Sequence, residues 1–210
     1  MNFLITRPEH DDTTHYLSNW AKKVIGCAEI HGFNVIDLNR EMAVQKEFES
    51  RITKNNPCLV MLNGHGDDNL VTGHQNKPLL IGGTNDKLMK SRIVYALSCR
   101  SAKELGVKAV SSGAKSYTGY DDDFIFSYTP SMISRPLNDD KAMLFFEPSN
   151  LFIDSLIKGN TVQEAKSKSE QLFRKNITKA LGSQNGANLA KNLWWDLRHF
   201  VSYGDLTSSI

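Results

Sequence analysis

The chain has no apolar run approaching the roughly 18 residues of a membrane-spanning helix. Its opening residues, Met1-Asn2-Phe3-Leu4-Ile5-Thr6-Arg7-Pro8, carry neither a basic segment nor a long apolar one, so no secretory leader is expected. Cysteine is scarce. Cys27, Cys58 and Cys99 are widely spaced and do not make a disulfide framework, which points to a reducing, cytoplasmic setting. Charge of one sign is also lacking. The net charge of +2 is too small to hold nucleic acid or an anionic membrane surface. No Cys or His pair has zinc-ligand spacing. Asp67-Asp68-Asn69 lacks the spacing and closing Glu of a calcium loop, and no Gly-Lys-Ser/Thr follows Gly82-Gly83. No metal or cofactor is therefore expected for the chemistry.

What remains is ordinary globular material: 210 residues, 40% apolar and 23% charged. That length suits one domain over residues 1–210, and residues 148–210 read as its mostly helical C-terminal part.

Phe3-Leu4-Ile5 reads as a first strand. From Thr14 to Ile30 the period turns helical, with Leu17, Trp20, Ala21, Val24 and Ala28 on one face. Phe33–Leu38 is a second strand, and Val44, Phe48 and Ile52 mark a helix over 40–54. Cys58–Leu62 and Ile93–Leu97 are continuous apolar runs, the pattern of strands buried on both faces. Between them, 69–83 reads as a loop or small hairpin. Ser101–Val110 reads as a helix weakened by Gly106, and Ala114–Tyr120 as a fifth strand. Helices are expected over 148–158, from the Thr161/Glu164 capping box to about Leu181, and around Leu189, Leu193 and Leu197. The alternation predicts an α/β fold: a central, mainly parallel sheet of about six strands flanked by helices, with a helical C-terminal extension.

In open parallel sheets reactive groups collect at the carboxyl ends of strands. Two buried strands here end in chemically loaded turns. One runs into Asn63-Gly64-His65-Gly66, the other into Ser98-Cys99-Arg100. If the strands are neighbours, His65 and Cys99 face one crevice. An imidazole can take the thiol proton or stabilise the thiolate. A helix N-terminus just after Cys99 also favours negative charge. The amides of Gly66 and Cys99 can form an oxyanion hole. Cys27 and Cys58 read as structural thiols, and His10, His15, His31, His74 and His199 as surface or capping residues. Of these, His74 is the rival base.

These two motifs, with Gly113-Ala114 before Tyr117-Thr118-Gly119-Tyr120, resemble the caspase-like cysteine peptidases, a clan that includes caspases, metacaspases, gingipains, separase and the bacterial CHAT proteases. The last dipeptide and strand look most like the CHAT and gingipain branch. The resemblance covers roughly residues 1–125. It implies a caspase-like three-layer sandwich, a His65–Cys99 dyad, oxyanion donors at Gly66 and Cys99, and a polypeptide substrate. It also implies selection of the P1 residue, the one before the scissile bond. Metacaspases place an Asp two residues before the catalytic Cys, where this chain has Leu97. An acidic wall for a basic P1 side chain must come from elsewhere, and Asp121, Asp122, Asp123 and Asp67 are the candidates. By analogy with CHAT proteases, control would come from a separate regulatory or sensor chain, or from an oligomer of this one. A catalytically silent caspase-like or flavodoxin-like binding module, acting through a partner surface at Trp194-Trp195, is the competing reading. A thiol hydrolase of non-peptide amides or thioesters is a third.

Overall fold

A computed structural model describes residues 1–184 and 186–210. Strand β1 (Asn2–Arg7) leads through helix α1 (Asp12–Ile30) to β2 (Asn34–Asn39) and helix α2 (Gln45–Asn55). Strand β3 (Leu59–Asn63) runs into a small antiparallel sheet of β4 (Gly66–Asp67), β5 (Leu70–Thr72) and β6 (Pro78–Ile81). Strand β7 (Ile93–Leu97) is followed by a π-helical turn (Ala102–Gly106), helix α3 (Val107–Ser111) and β8 (Ser116–Tyr120). Helices α4 (Asp140–Ile157), α5 (Val162–Leu181) and α6 (Ala187–His199) precede a last strand, β9 (Phe200–Gly204).

The central sheet is six-stranded, in the order β2-β1-β3-β7-β8-β9. All its pairings are parallel except β8–β9. The period of two along the strands builds two cores. Phe3, Ile5, Leu59, Met61, Ile93, Tyr95 and Leu97 face α1 and the C-terminal helices. Leu4, Val60, Leu62, Val94 and Ala96 face α2, the π-helical turn and α3. This is the expected three-layer α/β sandwich. The apolar face predicted for α1 is buried in full. Among the described residues no helix is long and apolar enough to cross a membrane.

Three local expectations are corrected. The helix expected over 40–54 starts only at Gln45, because Arg40 takes a left-handed backbone (φ 48°) in a short 3₁₀ turn. Residues 69–83 form the small hairpin of the two readings, β5–β6, which with β4 makes a three-stranded antiparallel sheet. Pro148 does not open a helix but lies inside α4. Asp139 caps that helix, accepting from the Lys141 and Ala142 amides. Proline's missing N–H frees the carbonyl of Leu144, and the Asn176 side chain of α5 donates to it at 2.7 Å. The expected helix 101–110 begins as the π-helical turn.

Strand β9 was not expected at all. It is anchored by Phe200, which is 2% exposed and packs its ring against Tyr95, Tyr120, Phe152 and Phe173. Phe200→Ala should lower stability to urea by about 3–5 kcal/mol, as expected of a large aromatic removed from a packed core. A loss under about 1 kcal/mol would show that β9 is an ornament of the sheet edge.

Candidate active site

Strands β3 and β7 pair in parallel with Asn63 opposite Leu97. His65 and Cys99 therefore each stand two residues beyond the last paired position of neighbouring strands. The two turns touch. A Cβ on Gly66 would lie 2.7 Å from the Cys99 carbonyl and 3.1 Å from the Ser98 Cβ. A side chain on Gly64 would collide with the Thr72 carbonyl. Only glycine allows either approach.

The hairpin β4–β5 stiffens this junction. Thr72 donates its amide to the His65 carbonyl at 2.8 Å, so His65 and Thr72 form a hydrogen-bonded pair. The alternation of an antiparallel ladder then turns the next amide, that of Gly66, away from β5. At the hairpin tip the Asp68 carbonyl accepts the amides of Glu104 and Leu105, at 2.9 and 3.1 Å. Its carboxylate meets Lys103 at 2.9 Å and Arg100 at 3.6 Å. The segment after Cys99 is thus stitched to the turn after His65. The same bonds occupy amides that would otherwise have offered a helix N-terminus to the thiol.

His65 Nε2 lies 2.7 Å from Asp11 Oδ2. Asp11 caps α1, and its other oxygen accepts the Thr14 amide at 2.8 Å. Burial pushes the Asp11 carboxyl up, but the hydrogen bonds from Thr14 and His65 outweigh it and hold the group below its ordinary value. Asp11 was missed in the sequence. Its only local signal is Asp11-x-x-Thr14 at the start of a helix, which reads as a cap. Its position at the carboxyl end of β1, beside β3, becomes visible only in three dimensions.

Cys99 is half-buried. Its Sγ lies 3.8 Å from the Phe124 carbonyl, and among the described residues no hydrogen bond joins it to the imidazole. Burial pushes the thiol up to about 11, and Asp123 and Asp196 push the same way. The covering segment after β8 is held by α6. Asp196 accepts the Ile125 amide at 2.9 Å, and Trp195 Nε1 donates to the Asp123 carbonyl at 3.0 Å. Asp196 is fully buried and its carboxyl is raised well above the ordinary range by that burial. Trp194 is exposed, with Arg198 over its ring.

The acidic candidates are already engaged. Asp121 meets His199 Nδ1 at 2.8 Å. Asp122 accepts the Asp123 amide, and its carbonyl accepts the Arg100 amide at 3.0 Å. The Asp123 carboxylate lies 3.3 Å from Arg100 Nε. Asp67 closes the hairpin by accepting the Asn69 amide. The Asp123 and Asp68 carboxylates share the guanidinium of Arg100, the residue after Cys99.

No protein-family model matches the sequence. No curated protein sequence matches it either. Among solved structures, it resembles a chain of the complex of Porphyromonas gingivalis RgpB pro- and mature domains, with a TM-score of 0.65 at 10% identity. The match covers 100% of this chain and 48% of that one, so this chain spans about half the length of its structural relative. At that identity the likeness shows the fold, a mainly parallel sandwich of the caspase-like kind.

The buried thiol gives a direct test. Iodoacetamide alkylation of Cys99 in the uncomplexed protein should climb with pH and still be rising at about pH 10, following a thiol near 11. Peptide mapping separates it from Cys27 and Cys58. A plateau below about pH 8 would reveal a resting thiolate and contradict this geometry.

Proposed function

We propose that the chain is a cysteine endopeptidase with Cys99 as nucleophile, His65 as general base and Asp11 as the carboxylate that orients His65. The observation that carries the reading is the pairing of β3 with β7, which ends two adjacent strands in His65 and Cys99, with His65 tied from behind to Asp11. One solved structure it resembles is that of RgpB, a gingipain, and gingipains belong to the clan the two motifs resemble. The narrower likeness to the CHAT branch rests on Gly113-Ala114 and the strand beyond it.

With Nε2 on Asp11, Nδ1 is the nitrogen left for the thiol. The raised thiol value favours general-base chemistry over a standing ion pair. The Cys99 proton passes to Nδ1 as Sγ attacks the scissile carbonyl. The oxyanion sits on the amides of Gly66 and Cys99, each donor worth about 3 kcal/mol. His65⁺, held by Asp11, gives its proton to the leaving amine, and water then hydrolyses the thioester. The substrate must first lift the segment at Phe124 off the sulfur. A separate sensor or regulatory chain, or a second copy, is the expected agent of control.

For P1 we propose a basic residue. Support comes from Asp123 and Asp68, which already hold a guanidinium beside Cys99; a P1 Arg or Lys would take over that role from Arg100. Asp121, Asp122 and Asp67 would add to the local negative field. Arg100 itself favours the opposite reading, an acidic P1. A second overall reading, a catalytically silent module, is favoured by the covered, strongly protonated thiol.

Labelling with peptidyl electrophiles separates these. Wild type should react at Cys99 with an Arg- or Lys-P1 probe, and Cys99→Ala not at all. His65→Ala should be slower by about 10²–10⁴-fold. Asp11→Asn keeps a good helix cap, so a fall of about tenfold or more reads the lost orienting charge rather than unfolding. Equal rates for wild type and His65→Ala would end the dyad, and faster labelling by Asp-P1 probes would end the basic-P1 proposal alone. No labelling at Cys99 by any probe would favour the silent module.

A further inference from the structure

Two histidines meet Asp11, and a third stands against one of them. Its Oδ2 lies 2.7 Å from His65 Nε2 and 3.6 Å from His10 Nε2. One ligand atom from each of His10, Asp11 and His65 falls within 4.8 Å of the others. The His74 ring meets the His10 ring edge-on at 5.7 Å. Asp11 uses its other oxygen on Thr14, so Oδ2 is the atom free to serve the cluster.

Hydrogen bonding leaves this cluster incomplete. His10 Nε2 has Asn76 Oδ1 at 3.0 Å. His10 Nδ1 and His74 Nδ1 are buried with no hydrogen-bond partner among the described residues. The nitrogen of His10 that faces Asp11 is Nε2, so a ligand between the two displaces only the Asn76 contact. The cluster is also open to solvent, since His10 and Asp11 line a surface cleft with Glu9, His15 and Ile133.

We propose that His10, Asp11 and His65 bind a divalent transition cation of the Zn²⁺ class, and that the bound ion inhibits the enzyme by occupying its base. Two imidazoles and one carboxylate suit Zn²⁺ and disfavour Mg²⁺ or Ca²⁺, which take oxygen ligands. Tetrahedral Zn²⁺ with bonds of about 2.0–2.1 Å spaces its ligand atoms by about 3.3 Å. The His10–Asp11 separation is close to that already. The His65–Asp11 contact, at 2.7 Å, would open by about 0.6 Å. The ion would replace the proton shared by His65 and Asp11, fix the ring, and remove the basicity that the thiol needs. Cys99 is not a ligand in this arrangement. Inhibition rests on the peptidase reading; the binding site itself does not.

The test uses the full chain, stripped of metal, titrated with Zn²⁺ against a chromophoric chelator. Wild type should bind one equivalent. His10→Ala should bind about tenfold more weakly or worse, and Cys99→Ala as tightly as wild type. Imidazole NMR signals of His10 and His65 should shift in wild type while those of His31 and His199 stay in place, which keeps the test valid if His10→Ala misfolds. Zn²⁺ should slow probe labelling of Cys99 in wild type, and the ratio with and without metal should move towards one in His10→Ala. Equal affinity of wild type and His10→Ala, still His10 signals, or loss of binding in Cys99→Ala would each overturn the site. Zn²⁺ binding through His10 in a chain that never labels would leave the site standing and remove the peptidase reading.

Discussion

The parallel register of β3 against β7 is the constraint on which everything else depends. It sets Asn63 opposite Leu97, so the turns that follow emerge side by side at one edge of the sheet. His65, Cys99 and the amides of Gly66 and Cys99 all follow from that register. A slip of one residue would send the alternate faces of a strand into the wrong core. The two cores resist such a slip, because Met61 and Tyr95 belong to one and Val60, Leu62, Val94 and Ala96 to the other. Packing far from the two turns thus holds His65 and Cys99 in place.

The contacts around the two turns serve opposite ends. The β4–β5 hairpin and Asp68 lock the histidine turn to the segment after the cysteine, which favours a fixed relation between His65 and Cys99. The segment from Asp123 to Tyr128 covers the sulfur and is itself fastened to α6 through Asp196 and Trp195. The C-terminal helices, which stand outside the part of the chain carrying the motifs, therefore reach the nucleophile through one hydrogen-bonded strap. Asp196 is a buried carboxyl with one oxygen on the Ile125 amide and the other without a partner among the described residues. A half-satisfied buried carboxyl is a costly fastening for the strap.

Much of the fold is legible in the residues because its strands are buried on both faces and read as unbroken apolar runs. Leu59–Leu62 and Ile93–Leu97 show this most plainly. The boundaries that fail do so for tertiary reasons. Pro148 sits mid-helix because a side chain from α5 serves the carbonyl that proline leaves free. Strand β9 follows α6 without a break, and its signal is a short alternation whose value depends on β8 beside it. The site divides in the same way. His65 and Cys99 stand at the ends of strands, where pattern alone points. Asp11 and His10 come from a different strand end, and nothing local distinguishes a helix cap from a carboxylate that also faces an imidazole. The engagement of Asp121 by His199 and of Asp123 by Arg100 is likewise a fact of folding that a triplet of acidic letters does not carry.

The central claim is that the ends of β3 and β7 form one reacting centre. A crystal structure of the chain after reaction with a peptidyl ketone electrophile tests it most directly. The expected structure has a covalent bond to Cys99 Sγ, the former carbonyl oxygen within hydrogen-bond reach of the Gly66 and Cys99 amides, and the His65 ring facing the sulfur with Asp11 still behind it. An adduct at Cys27 or Cys58, or one at Cys99 with the His65 ring turned away and the oxygen in solvent, would contradict it.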